Sequence, residues 1–179
     1  SIIGIYDVSP SMQDRTVTTG IVRAELARQF AAGGHVGRAS GRDFDSRRDM
    51  SYPPYDTLEF EVPIRSKGDV NARAWIRIEE VRQSISMIRQ LLDRLAPGPL
   101  RIEKLPLRAG EGAALAEAFR GDVFITVRID DEGKVAHCHA RDASWFQWPL
   151  LEAAIEGNIV ADFPLCNKSF NCSYSGHDI

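Results

Sequence analysis

Histidine and cysteine side chains near residue 138 are the first candidates for chemistry in this sequence. His137, Cys138 and His139 lie in a segment of strand composition, where side chains alternate between faces, so the two imidazoles would share one face. Further soft donors lie in the C-terminal tail, at Cys166, Cys172 and His177. No C-x-x-C pair and no H-E-x-x-H motif supplies the spacing typical of zinc sites. A strand with a small buried cysteine is the favoured interpretation, and a His/Cys metalloprotein stays open as an alternative.

Two groupings of charged residues could also support chemistry. Glu79 and Glu80 could act as general acid and base, but carboxylates on an exposed helix face more commonly pair with arginines three or four residues away. The segment from Arg38 to Arg48 mixes arginines with aspartates and could bind an anion. For that segment we favour an ion-pair network that neutralises itself and braces a long loop.

The composition limits the classes of function. The chain has 179 residues, 44% hydrophobic and 26% charged, with a net charge of -3, which predicts one globular domain over residues 1–179. The slightly acidic balance argues against a nucleic-acid partner. No apolar run approaches the roughly 20 residues that a membrane-spanning helix requires. Three cysteines provide no disulfide framework and fit a reducing compartment.

A long helix from about Val70 to Leu95 is the clearest predicted element. Asp69 is a suitable N-cap, and Pro97-Gly98-Pro99 would end the helix. Apolar residues recur every three or four positions and predict a buried stripe, formed by Ile78, Val81, Ile85, Ile88, Leu92 and Leu95 and widened by Trp75, Ile76 and Leu91.

The other predicted elements complete a mainly helical α+β fold with a small antiparallel sheet. Composition favours three shorter helices, at Arg23–Ala32, Gly112–Ala118 and Trp148–Glu156. A strand at Val123–Ile129, a turn at Asp130–Gly133 and a returning strand at Val135–Ala140 predict a hairpin. Residues 33–67 are expected to be mostly irregular, which is typical of a functional loop or one held by a partner.

Several motifs, in order and spacing, identify a family resemblance. They are Arg38-Ala-Ser-Gly41, Asp45 with Arg47, Tyr52-Pro-Pro-Tyr55, Leu58-Glu-Phe-Glu-Val-Pro63, Gly68-Asp-Val70, the Arg77 to Ser84 stretch and the run from Trp148 to Asp162. The chain resembles the hydrogenase-like large subunit shared by respiratory complex I and the membrane-bound, energy-converting nickel–iron hydrogenases, including relatives in formate-hydrogenlyase-type complexes. The resemblance implies the C-terminal part of that subunit and its fold, without the N-terminal half.

Two positions in the resemblance bear on the chemistry. The family motif E-A-P-R-G-E/D, whose arginine lies beside the metal in hydrogenases, corresponds to Glu117-Ala-Phe-Arg-Gly-Asp122, so Arg120 is kept and Phe119 replaces proline. The motif S-x-D-P-C-x-x-C aligns from Ser169, which puts Ser173 and Gly176 at the two ligand positions. A nickel–iron centre needs four thiolates, so the resemblance implies no metal site and no cofactor here. The quinone-contacting residues of complex I belong to the other half, so none is assigned in this chain.

The resemblance therefore implies part of an oxidoreductase complex that lies at the inner, cytoplasmic face of the membrane. We expect the chain to line a buried cavity beside an iron–sulfur subunit, with a quinone as a possible ligand. Arg120 is the expected functional residue, because its fixed charge can stabilise an anionic or reduced ligand, and Arg77 with Glu80 is expected as an ion pair nearby.

The alternative is a non-catalytic scaffold with an inactive inherited site. Whether the chain is itself an enzyme stays open. In isolation it should expose apolar surface and tend to dimerise or precipitate.

Overall fold

The computed structural model describes residues 1–99, 101 and 108–178, which form an α+β fold with helices packed around one small sheet. The helices are α1 (Ile2–Val8), α2 (Pro10–Thr16), α3 (Ala24–Gln29), α4 (Gly34–Ala39), α5 (Ser46–Asp49), α6 (Val70–Asp93), α7 (Ser144–Ile155) and α8 (Phe163–Phe170), with short 3-10 turns at Tyr55–Thr57 and Val160–Asp162. The strands are β1 (Gly110–Ala118), β2 (Gly121–Ile129) and β3 (Val135–Arg141). Within these residues, no helix is both long enough and apolar enough to cross a bilayer.

The long helix α6 confirms the sequence prediction in its position and its N-cap. The Asp69 carboxylate accepts a hydrogen bond from the backbone N–H of Ala72 at 2.7 Å, which satisfies one of the free amides at the start of the helix. The helix ends at Asp93, two residues before the predicted end. It is the longest element described and carries the contacts that arrange the site below.

The predicted orientation of α6 is wrong. Its buried side chains include Ala72, Ile76 and Met87, whereas the residues predicted to form a buried stripe are largely exposed: Val81 59%, Ile85 46%, Ile88 54%, Leu92 65% and Leu95 77%. The end of the Tyr55–Thr57 turn and the extended residues after it, to residue 61, hydrogen-bond to side chains on the other side of the helix, from Gln83, Gln90 and Arg94. The side with polar residues is therefore the one covered, and the apolar side faces outward.

The sheet has the order β1-β2-β3 with both pairings antiparallel. The predicted hairpin of β2 and β3 is confirmed, with a register shift at Arg128/Ile129. The predicted helix at Gly112–Ala118 is wrong, because these residues lie in β1 and pair with β2 from Gly110↔Ile129 to Ala118↔Gly121. Alanine and leucine are good helix formers, but helix propensity is a weak preference. Cross-strand pairing along the nine residues of β1 outweighs it.

The segment 33–67, predicted to be mostly irregular, contains α4, α5 and a 3-10 turn, and of these α4 is the buried one. All six residues of α4 are buried, including Arg38. Gly37 is required there, since a Cβ at this position would lie 1.9 Å from the Ala32 carbonyl oxygen. The helical conformation of α4 is therefore set by tertiary packing and not by the helix propensity of its residues.

The main hydrophobic core joins the first third of the chain to the last. Helix α7 confirms the prediction at 148–156 but begins earlier, at Ser144, and α3 confirms the predicted helix at 23–32 over a shorter length. The buried members of this core are Val22, Ala27, Ala32, Val36, Val70, Leu150, Leu151, Ala154, Cys166, Phe170 and Cys172. This packing holds α4, α7 and α8 around the residues described next.

Candidate functional site

Arg38 is the hub of a buried ion-pair network. Its side chain is only 2% exposed and lies within salt-bridge distance of three carboxylates: Glu80 at 2.5 Å, Glu117 at 3.0 Å and Asp45 at 3.2 Å. The carboxylates come from α6, β1 and the N-cap of α5. The predicted self-neutralising network is confirmed only in part, by the pairs of Arg38 and Arg47 with Asp45 and of Arg48 with Asp43 and Asp49. Arg38 also takes two carboxylates from outside the segment, which ties the α4–α5 segment to the long helix and the sheet.

A second layer of donors satisfies the remaining carboxylate oxygens. Glu117 Oε2 accepts hydrogen bonds from the backbone N–H of Ser46 at 3.0 Å and from its hydroxyl at 3.1 Å. Arg47 pairs with Asp45 at 2.5 Å. Burial alone would raise the pKa of Asp45, but the hydrogen bonds from Arg47 and the charges of Arg38 and Arg47 outweigh it and lower this pKa. Asp45 is therefore firmly held as a carboxylate.

Glu80 differs from Asp45 in the direction of its pKa shift. Burial raises its pKa above the usual value, and the charge and hydrogen bonds of Arg38 offset this only in part. The surroundings therefore push Glu80 towards the protonated form, whereas they hold Asp45 as a carboxylate.

A cavity of about 260 Å³ lies against this network. Its wall is formed by Arg38, Arg47, Arg77, Glu80, Val81, Ser84, Glu117, Ala118 and Phe119. Arg77 does not pair with Glu80 as predicted, because Arg38 holds that carboxylate; the Arg77 guanidinium lies 5.0 Å from the centre of the Phe119 ring. Over residues 1–99, 101 and 108–178, no carboxylate lies within 4.0 Å of Arg77. The cavity thus carries one cation that is not neutralised by a direct ion pair.

Arg120, the residue singled out by the family motif, lies in the tight turn between β1 and β2. Its Nε donates a hydrogen bond to the Asn171 carbonyl at 2.5 Å, and its own carbonyl accepts one from Gln147 at 2.6 Å. The neighbouring acids have other partners, since Glu117 pairs with Arg38 and Asp122 with Arg141. Within the part of the chain that the structure describes, Arg120 makes no ion pair.

Two glycines bring the Arg120 turn onto the start of α4. Gly34 has φ +59°, and a Cβ at this position would lie 2.2 Å from the Arg120 carbonyl oxygen. Gly121 has φ +131°, and a Cβ there would lie 2.8 Å from the Gly34 amide nitrogen. The two backbones therefore touch directly, which fixes Arg120 relative to the Arg38 network.

His35 is a buried residue that the sequence analysis did not single out. The ring is fully buried, and Nε2 donates to the Ser169 carbonyl at 3.2 Å, so Nδ1 is the unprotonated nitrogen and has no partner among the described residues. The ring also lies 5.7 Å from that of Phe119. Burial, with the charge of Arg77 second, lowers the pKa of His35 to about 3.

The folded state therefore holds His35 neutral, which predicts an acid-sensitive stability. Because the folded-state pKa lies below the unfolded value of 6.5, the unfolded chain binds the extra proton, and stability falls as the pH drops from 6.5 towards 3. This group should lower the free energy of unfolding by roughly 1–2 kcal/mol between pH 6.5 and 5. Urea titrations of His35→Gln should show a shallower pH slope over this interval, whereas His137→Gln, at an exposed histidine, should retain the wild-type slope; equal slopes for all three proteins would contradict the prediction.

Arg73 is a second buried residue that the sequence analysis did not single out, and it joins the N-terminal loops to α8. Its guanidinium donates to the carbonyls of Gly68 at 2.6 Å and Gly20 at 2.9 Å and to the Ser169 hydroxyl at 2.9 Å. It also lies 4.5 Å from the centre of the Phe170 ring. Burial lowers the pKa of Arg73 to about 10, so it remains cationic at neutral pH.

The cysteines and histidines considered as metal ligands are not brought together. Cys138 is exposed on β3, whereas Cys166 and Cys172 are buried in the helical core. Among the described residues, no group of three or more His, Cys, Asp or Glu side chains is arranged to hold a metal ion. Burial raises the pKa of Cys166, and it raises the pKa of Cys172 to about 11, so both are held as neutral thiols.

Comparison with known proteins gives consistent matches along the chain. The family model described as the 49 Kd subunit of respiratory-chain NADH dehydrogenase matches residues 3–108 and 101–178. Formate hydrogenlyase subunit 5 of Escherichia coli is 37% identical over 180 residues, covering 99% of this chain and 31% of that protein. The carbon monoxide-induced hydrogenase of Rhodospirillum rubrum is 32% identical over 171 residues, covering 95% of this chain and 47% of that protein. A subunit of the NADH-quinone oxidoreductase of Syntrophobacter fumaroxidans is 36% identical over 152 residues, covering 83% of this chain and 41% of that protein.

These matches confirm the resemblance seen in the motifs and, with it, the hydrogenase-like large-subunit fold. The chain spans less than half the length of each of these relatives. The family model nonetheless accounts for nearly all of the chain. The chain therefore belongs to the family of the 49 kDa subunit of the respiratory-chain NADH dehydrogenase.

Proposed function

We propose that this chain is a single-domain part of the large subunit of a membrane-associated redox complex, at the inner face of the membrane. In this role it forms one wall of a cavity beside an iron–sulfur subunit and contacts a quinone or another reducible ligand. Two of the relatives above are named as subunits of a formate hydrogenlyase and of an NADH-quinone oxidoreductase, which supports assembly into such a complex.

The observation that carries the proposal is the state of Arg120. Its guanidinium is held by the Asn171 carbonyl and makes no ion pair in the described residues, while Glu117 and Asp122 on either side are both neutralised elsewhere. A fixed cation without a counter-charge, in a turn held rigidly against α4, can stabilise negative charge that develops on a ligand during reduction. We assign Arg120 this role.

The donor set does not fit a nickel–iron centre in this part of the subunit. Such a centre requires soft thiolate ligands, but the Cys172 sulfur is engaged with the Gln147 side chain, at 3.9 Å from its Oε1. Cys166 lies in the core beside Gly20 and Arg73. We therefore propose a metal-free site. Stoichiometric nickel in the purified complex, lost on Cys172→Ala, would refute this assignment.

Replacing Arg120 tests the proposed role. In the assembled complex, Arg120→Ala should lower quinone-dependent electron transfer by about a hundredfold to a thousandfold, because one charged donor to the reduced ligand is lost. It should also remove quinone-dependent quenching of Trp145 and Trp148, which share α7 with the Arg120 contact Gln147. Arg128→Ala, at an exposed arginine of β2, is the matched control and should leave both readouts unchanged.

A non-catalytic scaffold is the second candidate function. It is favoured by the Arg38 network, in which one buried guanidinium is already saturated by three carboxylates and offers little to a ligand. If this chain serves only in assembly, Arg120→Ala will leave electron transfer and tryptophan quenching at wild-type levels in a fully assembled complex. Thermal unfolding of the Arg120→Ala variant distinguishes the loss of a functional role from the loss of the fold, because only the second lowers the unfolding temperature.

A further inference from the structure

Gln147 is a fully buried polar residue of α7 whose side chain lies between Arg120 and Cys172. Its Nε2 donates a hydrogen bond to the Arg120 carbonyl at 2.6 Å, and its Oε1 accepts one from the Cys172 thiol at 3.9 Å. In the flipped orientation Oε1 would face the Arg120 carbonyl oxygen, and two acceptors would meet without a proton between them. The thiol can be the donor because burial raises the pKa of Cys172 to about 11 and keeps its proton in place. Gln147 is therefore held in one orientation.

The bond to the backbone of Arg120 is matched by a bond to its side chain. Arg120 Nε donates to the Asn171 carbonyl at 2.5 Å, and Asn171 directly precedes Cys172. Asn171 is the C-cap of α8, with φ +57°, so its carbonyl follows the helix and is available to another donor. The contacts close a ring, which runs from the Arg120 carbonyl through Gln147, Cys172 and Asn171 back to the Arg120 guanidinium.

Helix α7 also holds the tail segment that completes this ring. The hydroxyl of Ser144, three residues before Gln147, accepts a hydrogen bond from the backbone N–H of Ser173 at 2.9 Å. Both Ser144 and Gln147 are fully buried, and Cys172 is buried as well. Every member of the ring belongs to this chain, so the ring does not depend on what covers the outer surface.

We infer that Gln147 is a positioning residue for Arg120. It holds the Arg120 backbone and the tail that binds Arg120 Nε, and so aims the guanidinium at the ligand. The guanidinium is planar, so a bond at Nε fixes the direction in which the two terminal nitrogens point. The inference rests on the role proposed above for Arg120. Its expected importance is large, because a misplacement of about 1 Å can cost about a hundredfold in rate.

Gln147→Leu in the assembled complex tests the inference, because it keeps a similar volume and removes both hydrogen bonds. Electron transfer to a short-chain ubiquinone should fall by about tenfold to a hundredfold. The loss should appear in kcat with little change in KM, since the aimed charge acts on the ligand as it is reduced. Gln90→Leu is the matched control, because the Gln90 amide also makes two hydrogen bonds, both to the Glu59 backbone. It should keep the wild-type kcat.

Gln147→Glu adds a pH readout that a merely structural role would not show. A protonated glutamic acid still donates to the Arg120 carbonyl, whereas the carboxylate does not. Burial raises the pKa of such a group, so activity relative to wild type should rise as the pH falls from about 8 to about 5. At the other end of the amide, Cys172→Ser keeps a donor for Oε1 and should retain more activity than Cys172→Ala. A flat pH ratio, or equal losses in the two Cys172 variants, would count against the inference.

The double variant separates this inference from the proposed function. If Gln147 acts through Arg120, adding Gln147→Leu to Arg120→Ala should change the rate by less than about twofold. A full additional loss would overturn the positioning role. A wild-type kcat in Gln147→Leu beside a strongly impaired Arg120→Ala would also overturn it and leave the proposed function in place. An unimpaired Arg120→Ala would refute the proposed function and the positioning role together.

Discussion

Replacing Arg38 with methionine should destabilise the chain by about 3–5 kcal/mol, the range for removing one partner of a buried ion pair. The substitution leaves Asp45, Glu80 and Glu117 close together without the guanidinium that neutralises them. Since whole domains are stable by only about 5–15 kcal/mol, most of the folding stability would be lost. The measurement is the free energy of unfolding by urea at neutral pH.

Arg48→Met is the matched control for that substitution. Arg48 also pairs with two carboxylates, Asp43 and Asp49, but its side chain is 39% exposed, so its removal should change stability by no more than about 1 kcal/mol. If Arg38→Met proved as mild as Arg48→Met, the network around Arg38 would not contribute as we describe.

The pH dependence of Arg38→Met provides a second check with a defined sign. Asp45 has a lowered pKa in the wild type, so its contribution is present at neutral pH and is lost as the pH falls through the unfolded and then the folded value. In the variant the carboxylates lose their cation, their pKa values rise, and protonation relieves their repulsion. The stability difference between the two proteins should therefore shrink from about pH 7 towards about pH 4, where carboxylates begin to protonate. A constant difference would contradict an electrostatic cause.

Gly34→Ala should destabilise the chain by about 2–5 kcal/mol and should displace Arg120. The new Cβ would lie 2.2 Å from the Arg120 carbonyl oxygen, at a residue with φ +59°. The left-handed backbone conformation costs an alanine about 1–2 kcal/mol, and backbone has to move to relieve the clash, which adds about 1–3 kcal/mol. Urea denaturation measures the loss, and faster hydrogen exchange at residues 119–122 would report that the turn has separated from α4.

Gly112→Ala is the control for the glycine prediction. This glycine lies in β1, and no atom lies within 4 Å of the position that a Cβ would take, so the same chemical change meets open space and should leave stability within about 1 kcal/mol of wild type. Similar losses in the two variants would show that the contact between Gly34 and the Arg120 turn is not what matters. The outcome bears on the proposed function, because this contact fixes the guanidinium that we assign to the ligand.

The elements predictable from sequence are those whose signal is local. The N-cap at Asp69, the three- and four-residue spacing of apolar residues after it and Pro97-Gly98-Pro99 predicted α6 to within two residues at its end. The turn at Asp130–Gly133 with alternating residues on both sides predicted the hairpin of β2 and β3. Alanine-rich β1 was mistaken for a helix, because its state depends on pairing with β2.

The candidate site was predictable only where a family motif marked it. The motifs identified Arg38 and Arg120, and the mixed charges after Arg38 predicted a neutralising network. They could not identify its partners, since Glu80 lies 42 and Glu117 79 positions further along the chain. His35 and Arg73 carried a weaker signal, as polar residues among small and apolar neighbours in segments that proved to be buried.

The order of residues by itself determined where the long helix and the hairpin form and to which family the chain belongs. These properties depend on neighbouring residues, composition and motif spacing. Tertiary structure alone decided which side of α6 is covered, which carboxylates surround Arg38, and that Arg120 has no ion-pair partner among the residues described. The physical reason is that burial and charge pairing act between residues far apart in the chain, and the same apolar stripe can face either a core or a partner.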